Sequence, residues 1–269
     1  MKSYLYIILL SLTYVSCTEP IDLELNTNDN VRLVVDAQLT TETKAHLVDL
    51  SLTTDYFKEG TPDRATNAIV TITNGSVVEE LKELEPGKYF TSSDYTGVEN
   101  ENYTLEIDYD GKTYSSNSTI EPVATLDSIN YVSYEPFDDE DTDNYSVVAY
   151  FQEPSELGNY YLFKMRINGE YWTGGIEDWF FTDDSTVNGS YIGDAEFFSF
   201  YAEPGDTISF EQFSISKETY ENLNAILLET VWRGGLFDGA PANVPSNINN
   251  GAIGAFITAD LESKDIVIE

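Results

Sequence analysis

The stretch NYTLEIDYDGKTYSS, Asn102 to Ser116, sets Tyr103, Leu105, Ile107 and Tyr109 on one face of an extended chain. Period-two alternation of this kind suits a half-buried strand and no helix. Asp110-Gly111 follows where the chain must reverse, and this dipeptide tolerates the two positive φ angles of a tight hairpin turn. The pattern recurs upstream. VRLVVDAQL (31–39) and HLVDLSLTT (46–54) are β-rich runs, AIVTIT-NG-SVVEEL (68–81) predicts a hairpin with a two-residue turn at Asn74-Gly75, and EPGKYFTS reverses at Pro86-Gly87. Short strands at this spacing predict an immunoglobulin-like β-sandwich over residues 31–122, ending near Pro122.

The second half, 123–269, is expected to be another β-rich domain with one packed α-helix, giving a mainly β fold class overall. YSVVAYF and YYLFKMRING read as strands, and an Asn/Gly/Pro loop leads into a final strand. The helix is predicted at 217–232, with Ser216 as N-cap and Tyr220, Leu223, Leu227 and Val231 on one stripe. Arg233 and Gly234-Gly235 supply a fitting stop.

The amino terminus constrains the address. Lys2 precedes twelve residues of apolar character, YLYIILLSLTYV, too few to span a bilayer but suited to a secretory signal peptide over 1–16. Ser16 is the small residue before the cut. Cys17, the chain's single cysteine, then stands where a lipoprotein receives its lipid, although Tyr14 occupies a place usually held by an aliphatic residue. The alternative is a plain secretory signal with an incidental cysteine. Residues 17–30 read as a lipidated acidic tether carrying Glu19, Asp22 and Glu24, either a surface-sorting signal or simply a polar linker.

Charge excludes one class of partner. Forty-eight acidic residues against 13 basic give −35, and loss of Lys2 with the signal leaves −36. Such a surface repels nucleic acid, so no nucleic-acid partner is expected. Nor does catalysis suggest itself. His46 is the lone histidine, which leaves no nucleophile–base pair, and zinc wants several Cys or His ligands. The expectation is a non-enzyme with no cofactor and no catalytic residues. The acidic run 138–143 alternates Asp139, Asp141 and Asp143 as an EF-hand begins, but Asn144 and Tyr150 break the pattern, leaving a weak calcium alternative beside a solvated loop.

Aromatic residues crowd 171–201. Alternation buries about half of such rings between sheets, and exposed Tyr and Trp serve as anchors for partners or platforms for sugars. Within YWTGGIEDWFF, Tyr171, Trp172, Trp179 and Phe180 are the candidate contacts, flanking a strand break at Gly174-Gly175.

The order LVVDAQLT, NAIVTITNG, PGKYFTS, ENYTLEIDYDGKTYSS, GDTISFEQFSISKETYENL and APANVPSNINNGAIGAFITA resembles the Bacteroidota outer-membrane lipoprotein family known as domain of unknown function 4249. PSNINNGAIGAF is the most specific part. The resemblance implies an outer-membrane lipoprotein, held by its lipid and facing the cell surface, with a TonB-dependent outer-membrane receptor as partner. It brings no catalytic residues. Asp127-Ser-Ile and Asp206-Thr-Ile are similar to a short O-glycosylation motif of that phylum. The expected role is accessory or cargo-binding partner of the transporter. Two alternatives are a free-standing glycan-binding lipoprotein and a structural or adhesive envelope protein.

Overall fold

The computed structural model describes residues 31–54, 60–134, 144–172, 175–230 and 244–269. Cys17, the signal, the tether, Gly174, the acidic run with Asp139, Asp141 and Asp143, and helix residues 231–232 lie outside the described residues.

Eight strands build the first sandwich: β1 (Leu33–Thr40), β2 (Leu47–Leu52), β3 (Ile69–Thr73), β4 (Val78–Glu80), β5 (Lys82–Glu85), β6 (Lys88–Phe90), β7 (Asn102–Tyr109) and β8 (Lys112–Thr119). One sheet runs β1-β2-β6-β5 and the other β4-β3-β7-β8. In immunoglobulin terms these are A-B-E-D and C′-C-F-G, as the sequence predicts. Leu33, Val35, Leu50, Val70, Ile72, Leu105 and Ile107 alternate inward and fill the space between the sheets. At the entry to β7 the Tyr103 hydroxyl accepts a hydrogen bond from the Val98 amide (2.9 Å), the tyrosine corner of such sandwiches.

The turns divide. Asp110 (φ 49°) and Gly111 (φ 73°) form the expected two-residue turn, with Tyr109 opposite Lys112. The Asn74-Gly75 hairpin instead has a four-residue loop, since Thr73 pairs with Val78. Only Gly75 takes a positive φ, and Asn74 uses its side-chain oxygen to accept from the Val77 amide (3.3 Å). An Asx-type side-chain bond has displaced the two-residue turn.

A ninth strand completes this sandwich from far away. β16 (Ile253–Ala259) runs parallel beside β1, pairing Val35 with Gly254 and Ala37 with Phe256. The Asn-rich run before it closes the gap to β8. Asn247 brackets Phe256, donating to its carbonyl (2.8 Å) and accepting from its amide (2.9 Å). Asn249 accepts from the Ser115 amide (2.8 Å), Asn250 donates to the Thr113 carbonyl (2.8 Å), and Ile248 is buried in the core. The side chains thus cap backbone groups that two open sheet edges would leave unpaired. What the sequence reads as a loop is an edge seal.

The second sandwich holds β9 (Leu126–Tyr134), β10 (Asn144–Gln152), β11 (Tyr160–Ile167), β12 (Glu170–Tyr171), β13 (Phe180–Asp183), β14 (Tyr191–Tyr201), β15 (Thr207–Ser214) and β17 (Leu261–Val267). A three-stranded sheet β14-β10-β9 faces a sheet β12-β11-β15-β17, with β13 also paired to β11. Phe151, Tyr161, Phe163, Phe197, Phe200 and Phe210 pack between them. The helix α1 (Lys217–Thr230) lies on the other side of this sheet, placing Leu223 and Tyr220 against Leu162 and Phe213. Ser216 caps it as predicted, accepting from the Thr219 amide (3.1 Å). Among the described residues no helix is long and apolar enough to cross a membrane.

The expected final strand is two, because the chain leaves one sandwich at Ala259 and enters the other at Leu261. Asp260, 8% exposed, is the hinge between them. Its Oδ1 accepts from Thr41 Oγ1 (2.7 Å) and the Leu261 amide (2.9 Å), and its Oδ2 accepts from the Val123 amide (2.9 Å). The chain passes from one sandwich to the next near residue 122, yet β16 returns to the first, and residues 32–269 cluster as one compact unit.

Candidate functional site

Strand β11 decides where charge goes. Tyr161, Phe163 and Met165 point into the second core, whereas Leu162 belongs to the opposite face under α1. Period-two alternation carries Lys164 and Arg166 to that same outer face. Lys164 is 8% exposed, and its Nζ lies 3.9 Å from the Trp179 ring centroid, 5.4 Å from Tyr171 and 5.6 Å from Phe213. Three π faces surround one ammonium. Glu211 stands directly across the strand pair from Lys164, yet its Oε1 accepts from Arg166 Nε (2.8 Å). Its Oε2 is buried without a hydrogen-bond partner. Arg166 also donates to the Tyr171 hydroxyl (2.7 Å), and its guanidinium lies 4.0 Å from that ring's centroid.

Among the described residues Lys164 has neither an ion pair nor a hydrogen-bond acceptor. Burial pushes its pKa down to about 8, against the pull of Glu211 and Asp36. Tyr171 is pushed up to about 12, first by burial and then by the Glu211 charge.

Nearby, a cleft of about 220 Å³ is lined by Asp36, Gln38, Lys44, Ala45, His46 and Leu47. Asp36 and Gln38 come from the outer face of β1. Asp36 stays open to solvent at the cleft, but the surrounding walls desolvate its carboxyl and raise its pKa, with Asp49 adding to the rise and Lys164 opposing it. Lys44 pairs with Glu42 at the rim. His46 is 2% exposed and fully engaged: Nδ1 accepts from the Thr40 amide (3.4 Å), and Nε2 lies 3.1 Å from the Glu42 carbonyl, which fixes it as the donor. It is a structural, neutral imidazole forming a wall.

Two predictions arise from these groups. Burial, aided by the Lys44 charge, holds His46 below its ordinary pKa of 6.5. The unfolded chain therefore binds a proton first as pH falls, so stability is full above about pH 6.5 and declines below it. Denaturant titrations between pH 7 and 5 are expected to show a shallower loss for His46→Gln than for wild type. Lys164→Met is expected to stabilise. The drop in pKa corresponds to roughly 3 kcal/mol of desolvation cost, and the three rings offset about 1–2 kcal/mol of it. The net gain at pH 7 is about 1–2 kcal/mol. That gain is full below pH 8 and fades as pH rises toward 10.5, where the unfolded lysine also loses its proton.

The four aromatic candidates do not form one platform. Tyr171 and Trp179 flank Lys164 on the outer face. Trp172 packs toward the second core, 6.1 Å from the Phe198 ring, and Phe180 meets Phe163 (5.8 Å) and Phe197 (5.5 Å). Lys164 and Arg166 were missing from the sequence reading. Their signal was available: two basic residues two apart inside an otherwise apolar strand.

A family model described as "Domain of unknown function (DUF4249)" matches residues 18–265. The chain belongs to this family. No curated protein matches it. The family region takes in both sandwiches, the Asn-rich edge seal and the cleft, and it begins one residue past Cys17.

Proposed function

We propose that this family member is a non-enzymatic lipoprotein, anchored in the outer membrane through Cys17 and facing the cell surface, where it serves a TonB-dependent transporter as accessory or cargo-binding partner. The observation that carries the reading is the position of Cys17, directly behind a short apolar segment and one residue before the family region. A processed chain starting at that cysteine would carry the entire family region outward on a lipid. The acidic residues Glu19, Asp22 and Glu24 that follow suit a solvated tether. The net charge supports a role in the aqueous envelope, held by acyl chains and not by electrostatic contact with anionic headgroups.

Metabolic labelling with a fatty-acid probe, followed by crosslinking and affinity purification from native membranes, tests both halves. Label on the wild type and none on Cys17→Ala supports anchoring. Co-recovery of a TonB-dependent barrel with the labelled protein supports the partner. Efficient labelling without any barrel would sink the transporter assignment, and an unlabelled wild type would sink the anchor.

A further inference from the structure

We infer that the cleft beside Lys164 is a binding site for a small carboxylate that also carries a hydrogen-bond donor, such as an amino acid or hydroxy acid. The argument begins with a cation that has nothing to neutralise it. A buried charge is normally paired or metal-bound. Lys164 is more than nine-tenths buried and has only ring faces around its Nζ. Its cross-strand neighbour Glu211 is held by Arg166 through Oε1, and its other oxygen lacks a donor. A free donor and a free acceptor thus sit at paired positions of one sheet.

The surroundings define the ligand further. Only 13 basic residues are present against 48 acidic ones, so a site where Lys44, Lys164 and Arg166 converge is unusual for this surface and favours an anion locally. Asp36 and Gln38 on the same wall offer acceptors to a donor group. His46 contributes no free nitrogen. Drug-sized ligands occupy pockets of roughly 300–1,000 Å³, so about 220 Å³ suits a small molecule or the end of a chain and excludes an oligosaccharide as a whole. The stability gain expected for Lys164→Met fits a residue retained for binding at a cost to the fold.

The inference refines the cargo-binding reading but does not require anchoring or a transporter. The test is an NMR titration of the full-length protein in detergent micelles, with lysine carrying ¹³C at Cε and the Lys164 resonance assigned by its loss in Lys164→Met. The probes are L-serine, propionate and ethanolamine. Serine is expected to move the Lys164 signal saturably, propionate more weakly, and ethanolamine not at all. Lys44→Met should weaken the serine response about two- to fivefold while leaving the Lys164 signal in place. No saturable movement with serine, or an equal response to ethanolamine, would overturn the inference. Either result leaves the labelling and crosslinking outcomes standing, because the titration reads the cleft alone.

Discussion

Gly254→Ala is expected to destabilise the protein by about 3–5 kcal/mol, among the largest effects of any single methyl addition to this chain. Gly254 has φ 104°, a conformation that side-chain-bearing residues rarely adopt, and it lies opposite Val35 in the parallel β1–β16 pair. A methyl group there would overlap the Val35 carbonyl oxygen and stand 2.9 Å from its carbon. Backbone strain of about 1–3 kcal/mol adds to overpacking of similar size, and neither β1 nor β16 is free to yield. The neighbouring Ala255 and Phe256 rely on that register to reach Asp36 and Ala37. Chemical denaturation reads the loss directly. A midpoint within 1 kcal/mol of wild type would mean that the parallel pair tolerates displacement.

Asp260→Ala is expected to cost about 3 kcal/mol, from three hydrogen bonds to a buried carboxylate that are only partly additive. Two of the donors belong to opposite sides of the joint: Thr41 follows β1, and Val123 leads into the second sandwich. Removing the carboxylate leaves the Val123 amide without its acceptor. Hydrogen exchange at Val123 should accelerate more than exchange in either sheet centre, and a uniform change across both sandwiches would contradict a local joint. Ser214 reinforces the same corner, donating through its hydroxyl to the Glu121 carbonyl while accepting from the Asp260 amide (3.2 Å).

Much of the first sandwich was legible because its signals are local. Tyr103, Leu105 and Ile107 alternate within a single strand, and Asp110-Gly111 accepts the backbone angles its turn requires. The Asn74-Gly75 loop misled because a side-chain oxygen, invisible to a dipeptide rule, competes with the backbone for the Val77 amide. β9 gave no clear pattern: LDSINYVSY is an edge strand paired only with β10, so little in it must be apolar on both faces. The partner of β1 was illegible for a deeper reason. A parallel pair leaves no turn to recognise, and its two members are separated by some two hundred residues. The site followed the same division. Tyr171 and Trp179 stood out as rings, but their work as faces around Lys164 depends on which side of β11 each residue occupies, and on a cleft wall supplied by β1.

The return of β16 to β1 also fixes an order of events. A chain made and exported amino end first delivers β1 early, together with β2 and the rest of its sandwich. Its final neighbour, Ile253–Ala259, arrives only after the whole second sandwich has emerged. Until then one edge of β1 stays open, with a row of backbone groups available to any passing strand. Completion is therefore a late, long-range step, of the kind that slows folding when loop closure must precede contact. A nascent or carboxy-terminally clipped chain would display that edge, so the cell gains, in this one strand, a readout of whether synthesis has reached its end.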